Sequence, residues 1–239
     1  MTPLDIGGLR REFPDRRIDY YPSIDSTMRV AAALEPGAVV LAEEQRAGLG
    51  RHGHTWHSEA GSGIYCSLVL APAPVLTLAL GLAAQDAIAK STGIACDLRW
   101  PNDVMIADRK VAGILVQLSG AKAIAGIGIN VNHTSFPAEL ALEATSLRLH
   151  TGAPVSLTTI MLALLPAVDR FVELDKDTIV RLFTRASSYA AGQRVTVEQP
   201  DGVIEGTTAG LDPAGFLIVH QDDGTDTLIL AGGVRAAGS

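Results

Sequence analysis

After residue 188 the helical patterns of the sequence give way to short strand patterns, and this change constrains the fold more than any other feature. Beyond it, apolar or alternating segments of strand length are separated by turn residues such as Asp222-Asp223-Gly224. These segments are residues 194–199, 202–209, 216–220 and 225–230. Short strands with a turn signal every eight to twelve residues are typical of a small all-β barrel. We therefore predict two domains, residues 1–187 and residues 188–239.

The first 187 residues mix helical and strand patterns, which predicts an α+β domain with helices packed on a mixed β-sheet. Helical spacing of apolar side chains covers residues 28–34, 76–90, 156–174 and 178–187. Strand patterns cover residues 38–42, 64–70, 96–100, 104–107, 111–118 and 123–131. The first of these helices begins at a capping residue, Asp25, Ser26 or Thr27. Asp108-Arg109 provides a tight turn between two strands.

Composition excludes several classes of function. The 239 residues carry a net charge of −7 and no cluster of basic residues, so we expect no nucleic-acid partner. The apolar stretch 68–84 is divided by Pro72 and Pro74, and the N-terminus has no signal-peptide pattern; neither a membrane span nor secretion is expected. Cys66 and Cys96 are interpreted as reduced thiols of a cytoplasmic protein. Only four lysines occur, at residues 90, 110, 122 and 176.

A glycine-rich segment, residues 43–63, has little apolar periodicity and is predicted to be a functional loop. Its glycines allow close approach of backbone to a ligand, and Arg51 offers a fork of donors suited to phosphate. Trp56 could cover a planar or apolar ligand. The alternative interpretation of this segment is a mobile surface loop with an isolated arginine. The three histidines His52, His54 and His57 lie in this flexible loop without a nearby cysteine, so we predict no metal held by the protein alone.

Two further groups of polar residues follow. Asn102 and Asp103 lie at a strand break seven to eight residues before Lys110, whose ammonium could neutralise a carboxylate or a phosphate. The alternative interpretation of this segment is an ordinary hairpin with a solubilised turn. The second group, Gly126-Ile127-Gly128-Ile129-Asn130, places glycines inside a strand, which marks close approach of a ligand or another element.

The order of these motifs resembles the biotin protein ligases. The matching segments are Asp25-Ser26-Thr27, the loop from Gln45 to Trp56, Trp-Pro-Asn-Asp at 100–103, Lys-x-Ala-Gly-Ile-Leu at 110–115 and Gly-Ile-Gly-Ile-Asn at 126–130. The resemblance implies a biotin/lipoate ligase-like fold, similar to class II synthetases, with an SH3-like C-terminal domain. It implies a ligase that forms biotinyl-5′-AMP from biotin and ATP with Mg²⁺, then transfers biotin to a lysine of a carrier domain.

The resemblance also implies roles for individual residues. Lys110 and Arg51 would be catalytic. Biotin would be bound by Ser26, Thr27, Met28, Gln45, Leu49, Gly50, Arg51, Lys110 and Gly113. ATP and the adenylate would be bound by Arg51, His52, Trp56, Asn102, Asp103, Lys110 and Asn130, with Mg²⁺ near Asp103.

The sequence departs from the family pattern at three positions. Leu49 replaces an arginine of the loop, Met28 replaces an asparagine, and Arg99 replaces a lysine. The resemblance implies the carrier domain of a biotin-dependent carboxylase as partner, and a homodimer. About twenty residues precede Tyr20, which predicts the monofunctional form without an N-terminal DNA-binding domain. Two alternatives remain open: a lipoate or octanoate ligase or transferase of the related fold, and a biotin sensor without catalysis.

Overall fold

Residues 3–199, 202–230 and 232–236 are described in a computed structural model of the chain. The helices are α1 (Ile6–Glu12), α2 (Thr27–Ala31), α3 (Leu76–Thr92), α4 (Leu147–Thr151), α5 (Leu157–Val172) and α6 (Lys176–Ala186). The strands up to residue 130 are β1 (Ile18–Tyr21), β2 (Val39–Ala42), β3 (Gly48–Leu49), β4 (Thr55–Trp56), β5 (Gly63–Leu70), β6 (Asp97–Arg99), β7 (Asp103–Ile106), β8 (Arg109–Ser119) and β9 (Lys122–Asn130). The later strands are β10 (Ala191–Gln199), β11 (Gly202–Leu211), β12 (Leu217–Gln221), β13 (Asp226–Ile229) and β14 (Val234–Ala236).

A seven-stranded mixed sheet forms the centre of the first domain, in the order β1-β2-β5-β9-β8-β7-β6. Strands β1 and β2 are parallel, and the other neighbouring pairs are antiparallel. Side chains alternate between the two faces of the sheet. Val39 and Leu41 therefore join the main core, whereas Val40 joins a smaller apolar cluster beside α2. This confirms the predicted α+β architecture of a mixed sheet covered by helices.

The later strands form a five-stranded antiparallel sheet in the order β13-β12-β11-β10-β14. Its buried side chains, including Val195 and Leu217, belong to the same apolar core as the first domain. Trp100 is buried and its indole Nε1 donates to the Gly215 carbonyl at 2.9 Å. The small sheet is thus packed firmly against the edge of the larger one.

One local prediction is wrong, and a second is confirmed in position only. The hairpin between β7 and β8 turns at Ala107 and Asp108, which both have positive φ, and Arg109 already lies in β8. Ile106 pairs with Arg109, so the loop is only Ala107 and Asp108, and both have the positive φ that a two-residue hairpin loop of this type needs. Ser26, one of the three predicted starting residues, is the N-cap of α2, but its side chain makes no capping hydrogen bond. The Thr27 backbone N–H donates instead to Gln45 Oε1, so the cap comes from another segment.

The two cysteines are free thiols, and each of the four lysines lies close to an oxygen. Cys66 is buried and Cys96 half-buried, both are free, and burial raises the pKa of each thiol to about 12. Each lysine ammonium has an oxygen partner within 4 Å. The pairs are Lys90 with Asp86 at 2.9 Å, Lys110 with Asp103 at 2.6 Å, Lys122 with the Leu34 carbonyl at 2.7 Å and Lys176 with Asp177 at 3.8 Å.

Of the helices in the described ranges, none is both long and apolar enough to cross a membrane.

Candidate active site

A cleft lies on the face of the large sheet where β8 and β9 meet the glycine-rich loop. Its volume is about 50 Å³. It is lined by Thr27, Met28, Gln45, Leu49, Gly50, Arg51, Trp56, Tyr65, Cys66, Asn102, Lys110, Gly113, Ile114, Leu115, Gly126, Ile127 and Gly128. The sheet supplies the floor of the cleft, and the loop supplies its roof.

One end of the cleft holds a chain of polar side chains. The Thr27 hydroxyl donates to Gln45 Oε1 at 3.0 Å and lies 2.8 Å from the Ser67 hydroxyl. The Gln45 amide Nε2 donates to the Ser58 hydroxyl at 3.1 Å. These groups fix each other's orientation, and their remaining donors and acceptors suit a small polar group such as a urea.

The glycine-rich loop closes on itself as a short hairpin. Strands β3 and β4 pair Gly48 with Trp56, and the Gly50 N–H donates to the His54 carbonyl at 2.7 Å. A Cβ at Gly50 would lie only 2.9 Å from that carbonyl oxygen, so this crossing requires glycine. Between the strands, Arg51 lies in a single 3-10 turn in which His52 has a φ of 54°.

Arg51 points from this turn toward the rest of the site. Its Nη1 donates to Asn102 Oδ1 at 2.8 Å and to the Gly232 carbonyl at 3.4 Å. Burial lowers the pKa of this guanidinium, and the charge of nearby Asp103 opposes that shift. Arg51 therefore links the loop, the Trp-Pro-Asn-Asp turn and the second domain, with other donors left for a ligand anion.

The indole of Trp56 lies directly on two glycines of the floor. A Cβ at Gly128 would be 2.4 Å from Trp56 Cε2, and a Cβ at Gly113 would be 2.8 Å from Trp56 Cζ3. Trp56 Nε1 is buried and has no hydrogen-bond partner within the described part of the chain. The cleft of about 50 Å³ is much smaller than a pocket for a drug-sized ligand, which measures about 300–1,000 Å³. The Trp56 indole fills part of the space that such a ligand would need.

The charged part of the site is a compact triad. Asp103 Oδ1 lies 2.6 Å from Lys110 Nζ, and Asp103 Oδ2 lies 2.9 Å from Arg99 Nη2. Burial raises the pKa of Asp103, but Lys110 and Arg99 outweigh it and hold that pKa below its ordinary value. The Lys110 ammonium also lies 5.4 Å from the centroid of the Trp56 ring. It is therefore held between the carboxylate and the cleft.

Two departures from the family pattern have a common structural setting. Met28 is buried, and a Cβ at Gly126 would lie 2.9 Å from its sulfur. Leu49 packs against the same small apolar cluster, which also contains Ile124. The cluster thus anchors the loop to the sheet by apolar contact at this point.

The structure brings most of the predicted site residues together, although four lie outside the cleft lining. Those in the lining are Thr27, Met28, Gln45, Leu49, Gly50, Arg51, Trp56, Asn102, Lys110 and Gly113. Ser26 and Asn130 are buried, Asp103 reaches the cleft through Lys110, and His52 is exposed. The roles assigned to all these residues stay predictions.

Sequence reasoning did not select several lining residues. They are Tyr65, Cys66, Ile114, Leu115 and Ile127, together with Gly126 and Gly128, which were noted only as marks of close approach. Alternation along β5, β8 and β9 was the available signal, but it does not say which sheet face is covered by the loop.

Known families match both parts of the chain. The sequence profile of the Biotin/lipoate A/B protein ligase family matches residues 20–133, and that of the biotin protein ligase C-terminal domain matches residues 191–234. The biotin–[acetyl-CoA-carboxylase] ligase of Mycobacterium tuberculosis is 34% identical, over 97% of this chain and 94% of its own length. This chain belongs to the biotin protein ligases. The bifunctional ligase/repressor BirA of Bacillus spizizenii is 32% identical over 91% of this chain and 73% of its own length.

A solved biotin protein ligase has the same fold. The enzyme from Aquifex aeolicus, in complex with biotin and ATP, superposes with a TM-score of 0.85 at 30% identity, covering 92% of this chain and 99% of that one. This similarity confirms the fold class predicted for this biotin protein ligase, including its C-terminal β domain.

Magnesium bound with ATP was expected near Asp103, and the residues there do not themselves form a site for an ion held by the protein. Mg²⁺ is usually held by one or two carboxylates together with substrate phosphates. Both oxygens of Asp103 face cations, Lys110 at 2.6 Å and Arg99 at 2.9 Å. The charge that would attract the ion is already balanced, so we derive no step through a metal at Asp103.

Proposed function

We propose that this biotin protein ligase activates biotin with ATP and transfers it to a lysine of the carrier domain of a biotin-dependent carboxylase. The relatives above are named biotin ligases, which favours biotin over lipoate. One observation carries the proposal. The same cleft brings together Lys110, Arg51 and Asn102 beside the glycines of its floor.

In the first step, a biotin carboxylate oxygen attacks the α-phosphorus of ATP and pyrophosphate leaves. Negative charge accumulates on the phosphate oxygens as the new P–O bond forms. A preorganised ammonium and guanidinium stabilise such charge without having to reorient. Lys110, fixed by Asp103, and Arg51, fixed by Asn102, are placed to do this. Magnesium would arrive with the ATP phosphates.

In the second step, the neutral amine of the carrier lysine attacks the acyl carbon of biotinyl-5′-AMP. The C–O bond to AMP breaks and the amine loses a proton. The intermediate is prone to hydrolysis, so the site must exclude water until the carrier arrives. We assign this role to the loop from Gly48 to Trp56, with the Trp56 indole moving off Gly113 and Gly128 to cover the adenylate. We place the reaction in the cytoplasm, since both cysteines are free.

Intact-mass spectrometry of the carrier tests the proposal. The protein is incubated with ATP, Mg²⁺, a carrier domain and either biotin or lipoate. We expect a biotin-sized mass increase on a single lysine. A lipoate-sized increase would replace biotin by lipoate as substrate. If neither appears, biotin-dependent release of pyrophosphate would identify an unsuitable carrier, and its absence would contradict the proposed ligase activity.

A further inference from the structure

Three side chains that could bind a metal converge where the last part of the glycine-rich loop meets the segment after β9. His57 directly follows Trp56 at the end of β4, Glu59 lies two residues later, and His133 lies three residues beyond the end of β9. One ligand atom from each of the three lies within 4.8 Å of the others. None of them lines the cleft described above.

The buried member, His133, is held in a defined orientation. Its ring is 0% exposed and stacks on Phe136 with centroids 5.1 Å apart and an interplanar angle of 18°. Its Nε2 lies 3.3 Å from the Tyr65 hydroxyl. The ring of His57 is 5.9 Å away, centroid to centroid.

Tyr65 determines which nitrogen of His133 carries the proton. The Tyr65 hydroxyl donates its one hydrogen to the Glu59 carbonyl at 2.8 Å. It can therefore only accept from His133 Nε2, which must be protonated. Nδ1 then carries a bare lone pair, and it is buried without a hydrogen-bond partner in the part of the chain that the structure describes. A buried polar atom without a partner costs about 1–3 kcal/mol, which makes this lone pair a candidate metal ligand.

We propose that His57, Glu59 and His133 bind one divalent transition-metal ion of the zinc type. Two imidazoles and one carboxylate are a common donor set for Zn²⁺, and metal-bound histidines usually donate their other N–H to a fixed acceptor, as His133 does to Tyr65. Tetrahedral coordination at about 2.1 Å separates ligand atoms by roughly 3.4 Å. The exposed Glu59 and half-buried His57 can make this adjustment.

The position of this site gives it a consequence for the loop. His57 is the residue after Trp56, and His133 follows the strand that carries Gly128 and Asn130. A bound ion would tie the exit of the glycine-rich loop to the end of β9. The hairpin would remain free to move while its base is fixed.

Cobalt binding to the full-length protein, stripped of metal by a chelator, tests this without biotin or ATP. We expect one equivalent of Co²⁺ to produce the strong visible bands of tetrahedral coordination, and Zn²⁺ to abolish them. His57→Ala and Glu59→Gln should each weaken binding at least tenfold. Tyr65→Phe, which removes only the orienting hydroxyl, should weaken it about tenfold.

Two histidines outside the cluster provide matched controls. His54→Ala removes an imidazole from the same loop as His57, and His220→Ala removes the imidazole paired with Asp226 in the second domain. Neither substitution should change the visible bands of bound Co²⁺. Hydrogen exchange of residues 57–59 and 131–133, the segments that the ion would join, should slow on addition of Zn²⁺ in the wild type but not in His57→Ala. The proposal is overturned if no tetrahedral bands appear, or if His54→Ala abolishes them as strongly as His57→Ala. Because these assays contain no substrate, failure of the ligase assay would leave their outcome unaffected.

Discussion

The ammonium of Lys110 and the carboxylate of Asp103 form a 2.6 Å ion pair at the wall of the cleft. The same carboxylate holds Arg99 at 2.9 Å, so two cations are fixed by one anion. Lys110 is thus positioned before any ligand arrives. This arrangement reduces the reorganisation needed when charge develops on a substrate phosphate.

Lys110→Ala should slow biotin-dependent release of pyrophosphate by about 10²–10³-fold, equivalent to about 2.7–4 kcal/mol of transition-state stabilisation. The reason is that the variant leaves the developing phosphate charge without its fixed ammonium. Lys90→Ala, which removes a lysine from a surface pair with Asp86, is the control and should keep the wild-type rate. Near-native release by Lys110→Ala would show that the proposed role is wrong.

Asp103→Asn should lower the free energy of unfolding at pH 7 by about 1–3 kcal/mol, because Lys110 and Arg99 lose their anion. The folded-state pKa of Asp103 is depressed, so its stabilisation is complete above the unfolded value of about 3.9 and is lost as pH falls through the lower folded value. The stability gap between wild type and variant, measured by urea unfolding, should be constant from pH 7 to about 5. It should shrink below about pH 4, and a gap that widens there would contradict the assignment.

Gly128→Ala should displace the Trp56 indole, because the new methyl group would lie 2.4 Å from Cε2. Tryptophan fluorescence measures this most directly in a Trp100→Phe background, which leaves Trp56 as the single tryptophan. We expect a shift of the emission to longer wavelength as the indole leaves the sheet. Gly233→Ala, where the Cβ meets nothing within 4 Å, should leave the spectrum unchanged. Identical spectra for both variants would refute the close packing of Trp56 on Gly128.

Leu49→Arg should slow the escape of biotinyl-5′-AMP, since a second guanidinium would join Arg51 on the loop. The new side chain must leave the apolar cluster formed with Met28 and Ile124, which partly offsets the gain. Leu49→Met keeps apolar packing of similar volume and serves as the control. The dissociation rate of preformed intermediate is the measurement, and equal rates for both variants would remove the significance of this position.

Much of the fold followed from periodicity. Segments with strong alternation or helical spacing, such as α3 and β9, begin and end within a few residues of the prediction. Elements with weak signals were not predicted: α1, β1, α4, β14 and the β3–β4 hairpin are short, and their stability comes from packing against the rest of the protein rather than from local sequence.

The motifs predicted which segments form the site. They could not predict which side chains from distant segments contact each other. The sequence placed Gly128 in a strand that something approaches closely, but it could not identify Trp56 as the approaching group. It also treated His57 as one of three histidines in a loop. Its neighbour His133 comes from the end of β9, 76 positions along the chain, and only the sheet register brings the two rings together.

The pairing of every lysine with an oxygen has a consequence for an enzyme that makes an amine-reactive acyl-adenylate. An ammonium held by a carboxylate or a carbonyl is a poor nucleophile, and four lysines in 239 residues leave few side-chain amines to attack. Intermediate that escapes the cleft therefore meets little on the enzyme's own surface that it can acylate.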